Sequence, residues 1–153
     1  MAYLFFVRPM RSRVLFALLA LAAATWGDEP VFRYSATSQA DEKQFSSRIT
    51  DEALAKAPVW SPDVGAPPLT AGRAQQIAFK QLSQSVTDPK QWDLHEIGLV
   101  DTGDHFHWIY VVHYVRHYPA EMAVFGAEFF DIVVLMDGTV IKPEVLHVEG
   151  GAK

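Results

Sequence analysis

Between Thr70 and Ser85 the apolar or small side chains Ala71, Ala74, Ile77, Ala78 and Leu82 recur at three- and four-residue spacing. Arg73, Gln75, Gln76 and Lys80 fall mostly around the other faces. That period predicts an amphipathic helix, and Thr70, just after a proline-rich stretch, is a suitable N-cap. Beyond Asp88-Pro89 the period changes to two. Gln91–Val100 reads as a first strand and His105–Tyr118, dense in β-branched and aromatic residues, as a second. Alternation puts Phe106, Trp108, Tyr110, Val112 and Tyr114 on one face of that strand, and His105, His107, Ile109, Val111, His113 and Val115 on the other. Phe129–Met136 is a third strand, and Asp137-Gly138 signals a type I′ hairpin into Thr139–Ile141. Val145–Val148 adds a last short piece. The expected fold is α+β: one main helix packed on a three- to four-stranded antiparallel meander.

Ahead of Leu69 the pattern is weaker. Residues 35–47 are polar, and Ile49–Ala57 reads as a short amphipathic helix. Pro58, Pro62, Gly65, Pro67 and Pro68 then interrupt the chain, so residues 58–69 read as a linker or an irregular wrap. The expected organisation is a leader over 1–24, a mixed helical and irregular region over 25–68, the helix-plus-sheet domain over 69–149 and a tail over 150–153.

The leader assignment rests on Arg11-Ser12-Arg13, the uninterrupted apolar run Val14–Ala24 and the small residues Ala22 and Ala24 at its exit. A basic start, an apolar stretch and an A-x-A site make a secretory signal pattern, with Met10 as the natural initiator. As a helix the run spans roughly 16 Å, about half a bilayer core, so no stable membrane span is expected after cleavage. The product is expected in the periplasm or outside the cell. The chain has no cysteine, so it holds itself together by burial rather than by disulfides, and the cleavage point offers no thiol for a lipid anchor.

Composition narrows the partners. Formal net charge is -5, with 13 basic and 18 acidic residues. Arg8, Arg11 and Arg13 precede the apolar run while every acidic residue follows it, so removal of the leader deepens the negative charge. An acidic product without a basic cluster is unsuited to nucleic acid, whose phosphates need a positive footprint.

Candidate chemistry is sparse. In a strand, His105 and His107 lie on one face roughly 6.6–7 Å apart and are the candidate metal ligands. His95, Asp101 or Asp104 would complete a set, since a closed site needs about four donors. The competing reading is of rim histidines on a half-exposed face. No G-x-S-x-G elbow, Walker motif or thiol is present, and carboxylate pairs such as Glu128/Asp131 or Asp101/Asp104 look like turn and edge charges. No catalytic residue and no cofactor are indicated. The aromatic face (Trp108, Tyr110, Tyr114), with Phe125 in the apolar link 118–126, is either the core beneath the helix or a ligand or partner face.

The helix Leu69–Leu82, the strand Trp108-Ile109-Tyr110-Val111-Val112 and the closing Val133–Ile141 resemble the small exported PepSY-type module over about half of the chain. The 118–126 link is longer than that pattern has. Cystatin-like helix-on-sheet proteins are an equally fair comparison. The resemblance implies a non-enzymatic binding or inhibitory module with a protein or peptide partner. A small-ligand or metal binder using the histidine face, or a hydrolase of unrecognised type, is the alternative.

Overall fold

In the computed structural model, which describes residues 32–117 and 128–146, the first regular elements are ones that hydrophobic periodicity does not announce. Strand β1 (Phe32–Ala40) and strand β2 (Lys43–Thr50) form an antiparallel hairpin. Its two-residue turn, Asp41-Glu42, has φ of 48° and 61°, the doubly positive geometry of a type I′ turn. The inward side chains of β1 are Ala36, Ser38 and Ala40, too small or too polar to register as an apolar stripe. Ser38 is satisfied by accepting the Asp131 N–H at 2.8 Å, which lets a hydroxyl sit in the interior at little cost. Residues 32–50 are therefore strands of the main sheet, not a mixed helical and irregular region. The helix expected over Ile49–Ala57 shrinks to α1 (Asp51–Leu54), capped by Thr50, because Ile49 is committed to β2.

Helix α2 (Ala71–Ser85) forms as the pattern predicts, with the Thr70 hydroxyl accepting the Arg73 N–H. Ala74, Ala78 and Leu82 are fully buried; two alanines on the contact stripe allow a close approach to the sheet. Strands β3 (Trp92–Asp101), β4 (Trp108–Arg116), β5 (Phe129–Leu135) and β6 (Val140–Ile141) make the expected meander. β7 (Glu144–Leu146) crosses to pair with β2. Among the described residues the sheet thus has seven strands in the order β3-β4-β5-β1-β2-β7, with β6 on β5, against the three or four expected.

The ladder between β1 and β5 is a single pair, Gln39 with Phe129, supplemented by the Ser38–Asp131 hydrogen bond, so the hairpin joins the meander at a corner and its other end packs on the far side of the sheet. Two cores result. Under α2 lie Tyr110, Val112, Tyr114, Phe130, Ile132 and Val134, with Trp60 and Leu69 from the proline-rich stretch packed among them. On the opposite face Ala36, Ile49 and Leu54 pack on Ile109, Val133 and Leu135. Residues 58–69 are a packed strap: Trp60 donates its backbone N–H to the Phe106 carbonyl and meets Trp108 edge-on at 6.3 Å. Arg116 ties the first turn to the meander through Asp41 and Glu128, at 3.3 and 2.7 Å.

The Asp137-Gly138 hairpin also differs in type. Only Gly138, with φ 89°, lies in the left-handed region, and its N–H reaches the Leu135 carbonyl while Leu135 bonds Thr139. This is a type I turn closed by a glycine bulge, which inserts one more residue than a type I′ loop. A Cβ at 138 would stand 3.3 Å from the Ile77 side chain of α2. Gly138→Ala is expected to cost about 1–2 kcal/mol, from backbone strain and that contact together. Urea unfolding checks this; a wild-type midpoint would show that the turn relaxes freely.

Candidate functional site

The residues singled out in the sequence are placed in three different settings. His105 and His107 are not on a strand. β4 begins at Trp108, and His105 has φ 64° in the turn before it. The turn is built by two aspartates. Asp101 accepts the Gly103 and His105 N–H groups and the His105 Nδ1 at 2.6 Å. Asp104 accepts the Phe106 and His107 N–H groups and the His107 Nδ1 at 2.6 Å. Burial pushes the Asp104 carboxyl up, but these hydrogen bonds outweigh it and hold the group far below the usual carboxylate range. Each imidazole is thus oriented by its own carboxylate, and the H-x-H geometry drawn from an extended strand does not arise. Among the described residues, no group of three or more metal-ligating side chains is positioned around a common point.

The aromatic face is interior. Tyr110 and Tyr114 lie beneath α2, their hydroxyls donating to the Leu69 and Gln75 carbonyls at 2.9 and 3.3 Å. Burial pushes the Tyr114 phenol up to about 12. Trp108 is half-buried against Trp60. Phe125 lies outside the described residues.

The opposite face holds a hollow of about 350 Å³ lined by Tyr34, His95, Glu96, Gly98, Val100, Val111, His113 and Asp131. Register creates its centre: His113 of β4 stands directly opposite Asp131 of β5, and Nδ1 lies 2.6 Å from the carboxylate. In the neutral ring Nδ1–H donates to Asp131, so Nε2 presents a lone pair. No other described residue hydrogen-bonds this ring; His95 approaches it edge-on at 5.5 Å between centroids, and Phe129 lies at 5.9 Å.

A bulge supplies the second imidazole. Leu94 pairs with Tyr114 and Glu96 with His113, so His95 is the extra residue between them. Strict alternation would send His95 to the α2 side with Ile97 and Leu99. The bulge instead puts both His95 and Glu96 on the hollow's side, a known way for a strand to re-aim a side chain. Gly98 forms part of the floor; a Cβ there would meet nothing closer than 3.7 Å. Tyr34 reaches in from β1, its phenol pushed up by burial and by the Asp131 carboxylate.

The chain matches no family model, no curated protein and no solved structure.

Function must therefore be argued from the hollow itself. It combines an oriented imidazole, a second imidazole, two carboxylates and an apolar floor, the mixture that small-ligand and side-chain pockets use. His113 and Asp131 were visible in the sequence only as members of separate patterns, a histidine-bearing strand face and a carboxylate pair. A second hollow, of about 370 Å³ between α2 and Val140, is lined by Arg73, Lys80 and glutamines and lacks any acid–base or nucleophilic pair. Among the described residues no helix is long and apolar enough to cross a membrane.

Proposed function

We propose that this chain is an exported, non-enzymatic binding module whose ligand sits in the hollow between β3, β4 and β5. The observation that carries the reading is the β3 bulge, which brings His95 and Glu96 to the His113–Asp131 pair. Bulges recur at sheet edges and beside sites, and this one turns two polar side chains toward the hollow instead of alternating them across the strand. Export is supported by the leader-like run Val14–Ala24, and a binding or inhibitory role is what a PepSY-like or cystatin-like module implies.

One observation favours a hydrolase, the carboxylate-oriented His113, since such an imidazole can activate water or a hydroxyl. The hydroxyls in reach of this face argue the other way. Ser38 is buried, its oxygen accepting the Asp131 N–H, and burial together with the Asp131 carboxylate pushes the Tyr34 phenol further from ionisation.

A fragment screen read by amide and imidazole NMR tests the proposal. Ligands are expected to shift His95, Gly98 and His113 together. Gly98→Val, which adds volume to the floor where the backbone tolerates a Cβ, is expected to weaken them by at least about tenfold, or 1.4 kcal/mol. Shifts confined to the Arg73/Lys80 groove, or unaffected by Gly98→Val, would defeat it.

A further inference from the structure

We infer that the ligand is an extended peptide of alternating basic and apolar residues, added as a strand to the free edge of β3 with a basic side chain in the hollow. This deepens the proposed function and rests on it. β3 is the terminal strand of the sheet order, so its outer edge has no strand partner among the described residues. The edge is ten residues long and has no lysine, arginine or proline. Its guards are the bulge at His95 and the acidic Asp93, Glu96 and Asp101, which repel an acidic strand and select a basic one. An extended peptide pairing there would place alternate side chains on opposite faces.

The two faces of β3 differ in chemistry, and the register shows how. On the α2 side lie Leu94, Ile97 and Leu99, opposite Tyr114, Val112 and Tyr110. Leu94 and Leu99 are 39% and 37% exposed, an apolar row extending to the sheet margin. On the other side lie Asp93, Glu96, Gly98 and Val100, opposite Val115, His113, Val111 and Ile109, with the hollow directly behind Glu96. Glu96 has no cationic partner among the described residues, and its Oε1 lies 4.0 Å from where a Gly98 Cβ would be. Asp131 adds a second carboxylate to the hollow and Tyr34 an aromatic ring. A lysine or arginine side chain on the peptide beside Glu96 meets both charges there, while its neighbours in sequence meet Leu94 and Ile97 and the next apolar residue along meets Leu99. A second copy of β3 fits poorly, because two such strands would bring Asp93, Glu96 and Asp101 against their own kind.

The probe is acetyl-Lys-Val-Lys-Val-Lys-Val-Lys-amide, compared by calorimetry and NMR on the full chain with the same peptide carrying glutamate in place of lysine and with one carrying threonine. The lysine peptide is expected to bind, to shift β3 amides together with His95 and His113, and to weaken about tenfold in Glu96→Gln and on raising salt. Equal binding of the threonine or glutamate peptide at the same amides would overturn the charge assignment while leaving the hollow as the site. Fragments shifting the hollow with no peptide on β3 would overturn the strand-addition mode. Neither fragments nor peptides shifting the hollow would overturn this inference and the proposed function together. Concentration-dependent self-association through β3 would overturn the peptide in favour of a second copy.

Discussion

Phe130→Ala is expected to lower the unfolding free energy by about 3–5 kcal/mol, as full truncations of buried aromatic rings do. Phe130 is completely buried and stands at the junction where the parts of the sheet meet. Its ring lies 4.9 Å from Phe45 of β2 and 6.2 Å from Trp92 of β3, and on β5 it pairs directly with Tyr114 of β4. Truncation removes contacts to three strands at once and leaves a cavity that rigid β-structure fills poorly. Domains of this size have only about 5–15 kcal/mol in total, so the variant should be largely unfolded in mild urea. Phe130→Leu, which keeps most of the volume, should lose distinctly less. A small effect of the alanine variant on the urea midpoint would mean that the hairpin and the meander do not share one core.

The second large effect is expected at Asp104, the carboxylate that gathers the 101–107 turn. Asp104→Ala should cost about 1.5–3 kcal/mol, the range for hydrogen bonds to a charged acceptor, since the Phe106 and His107 N–H groups and the His107 ring lose a common partner. Asp104→Asn should cost less, because its amide oxygen can still accept the two N–H groups. The pH dependence separates charge from shape. The folded carboxyl titrates well below its usual value, so its stabilisation is complete above the unfolded value near 3.9 and fades as pH falls below that toward the folded value. Unfolding free energy should therefore drop between about pH 4 and pH 2 more steeply in wild type than in Asp104→Asn. Parallel curves would remove the carboxylate from the account of this turn.

The elements that local pattern announced are those whose burial follows a single period. In α2, Ala74, Ala78 and Leu82 were apolar on a helical stripe and Thr70 stood at its start. In β4 the split between Tyr110/Val112/Tyr114 and Ile109/Val111 was readable because both faces are buried by large side chains. β1 escaped because Ala36, Ser38 and Ala40 bury little apolar surface each; its place depends on Phe129 and Asp131, about ninety residues later. Trp60 and Leu69 looked like parts of a linker because prolines surround them, yet their side chains are anchored in the core under α2.

The candidate site was harder still to read. The sequence offered His105 and His107 because they are adjacent in an alternating pattern, and the turn separates them by engaging each with a different aspartate. His113 and Asp131 meet because two strands align in one register out of several that hydrophobicity alone would permit, and His95 joins them through one unpaired residue in β3.

Period and composition, then, determined by themselves that a helix would lie on an antiparallel sheet, where that helix starts and ends, and how the side chains of β4 divide between its two faces, because these follow from side-chain spacing within a single element. Which of those faces the helix covers was left to the tertiary structure. The tertiary structure alone decided that the sheet has seven strands, that the hairpin 32–50 closes its far side, and that His95, Glu96, His113 and Asp131 share a hollow. Those outcomes depend on strand register, a bulge and a corner, which are settled by contacts between residues distant in the chain and leave no periodic trace in it.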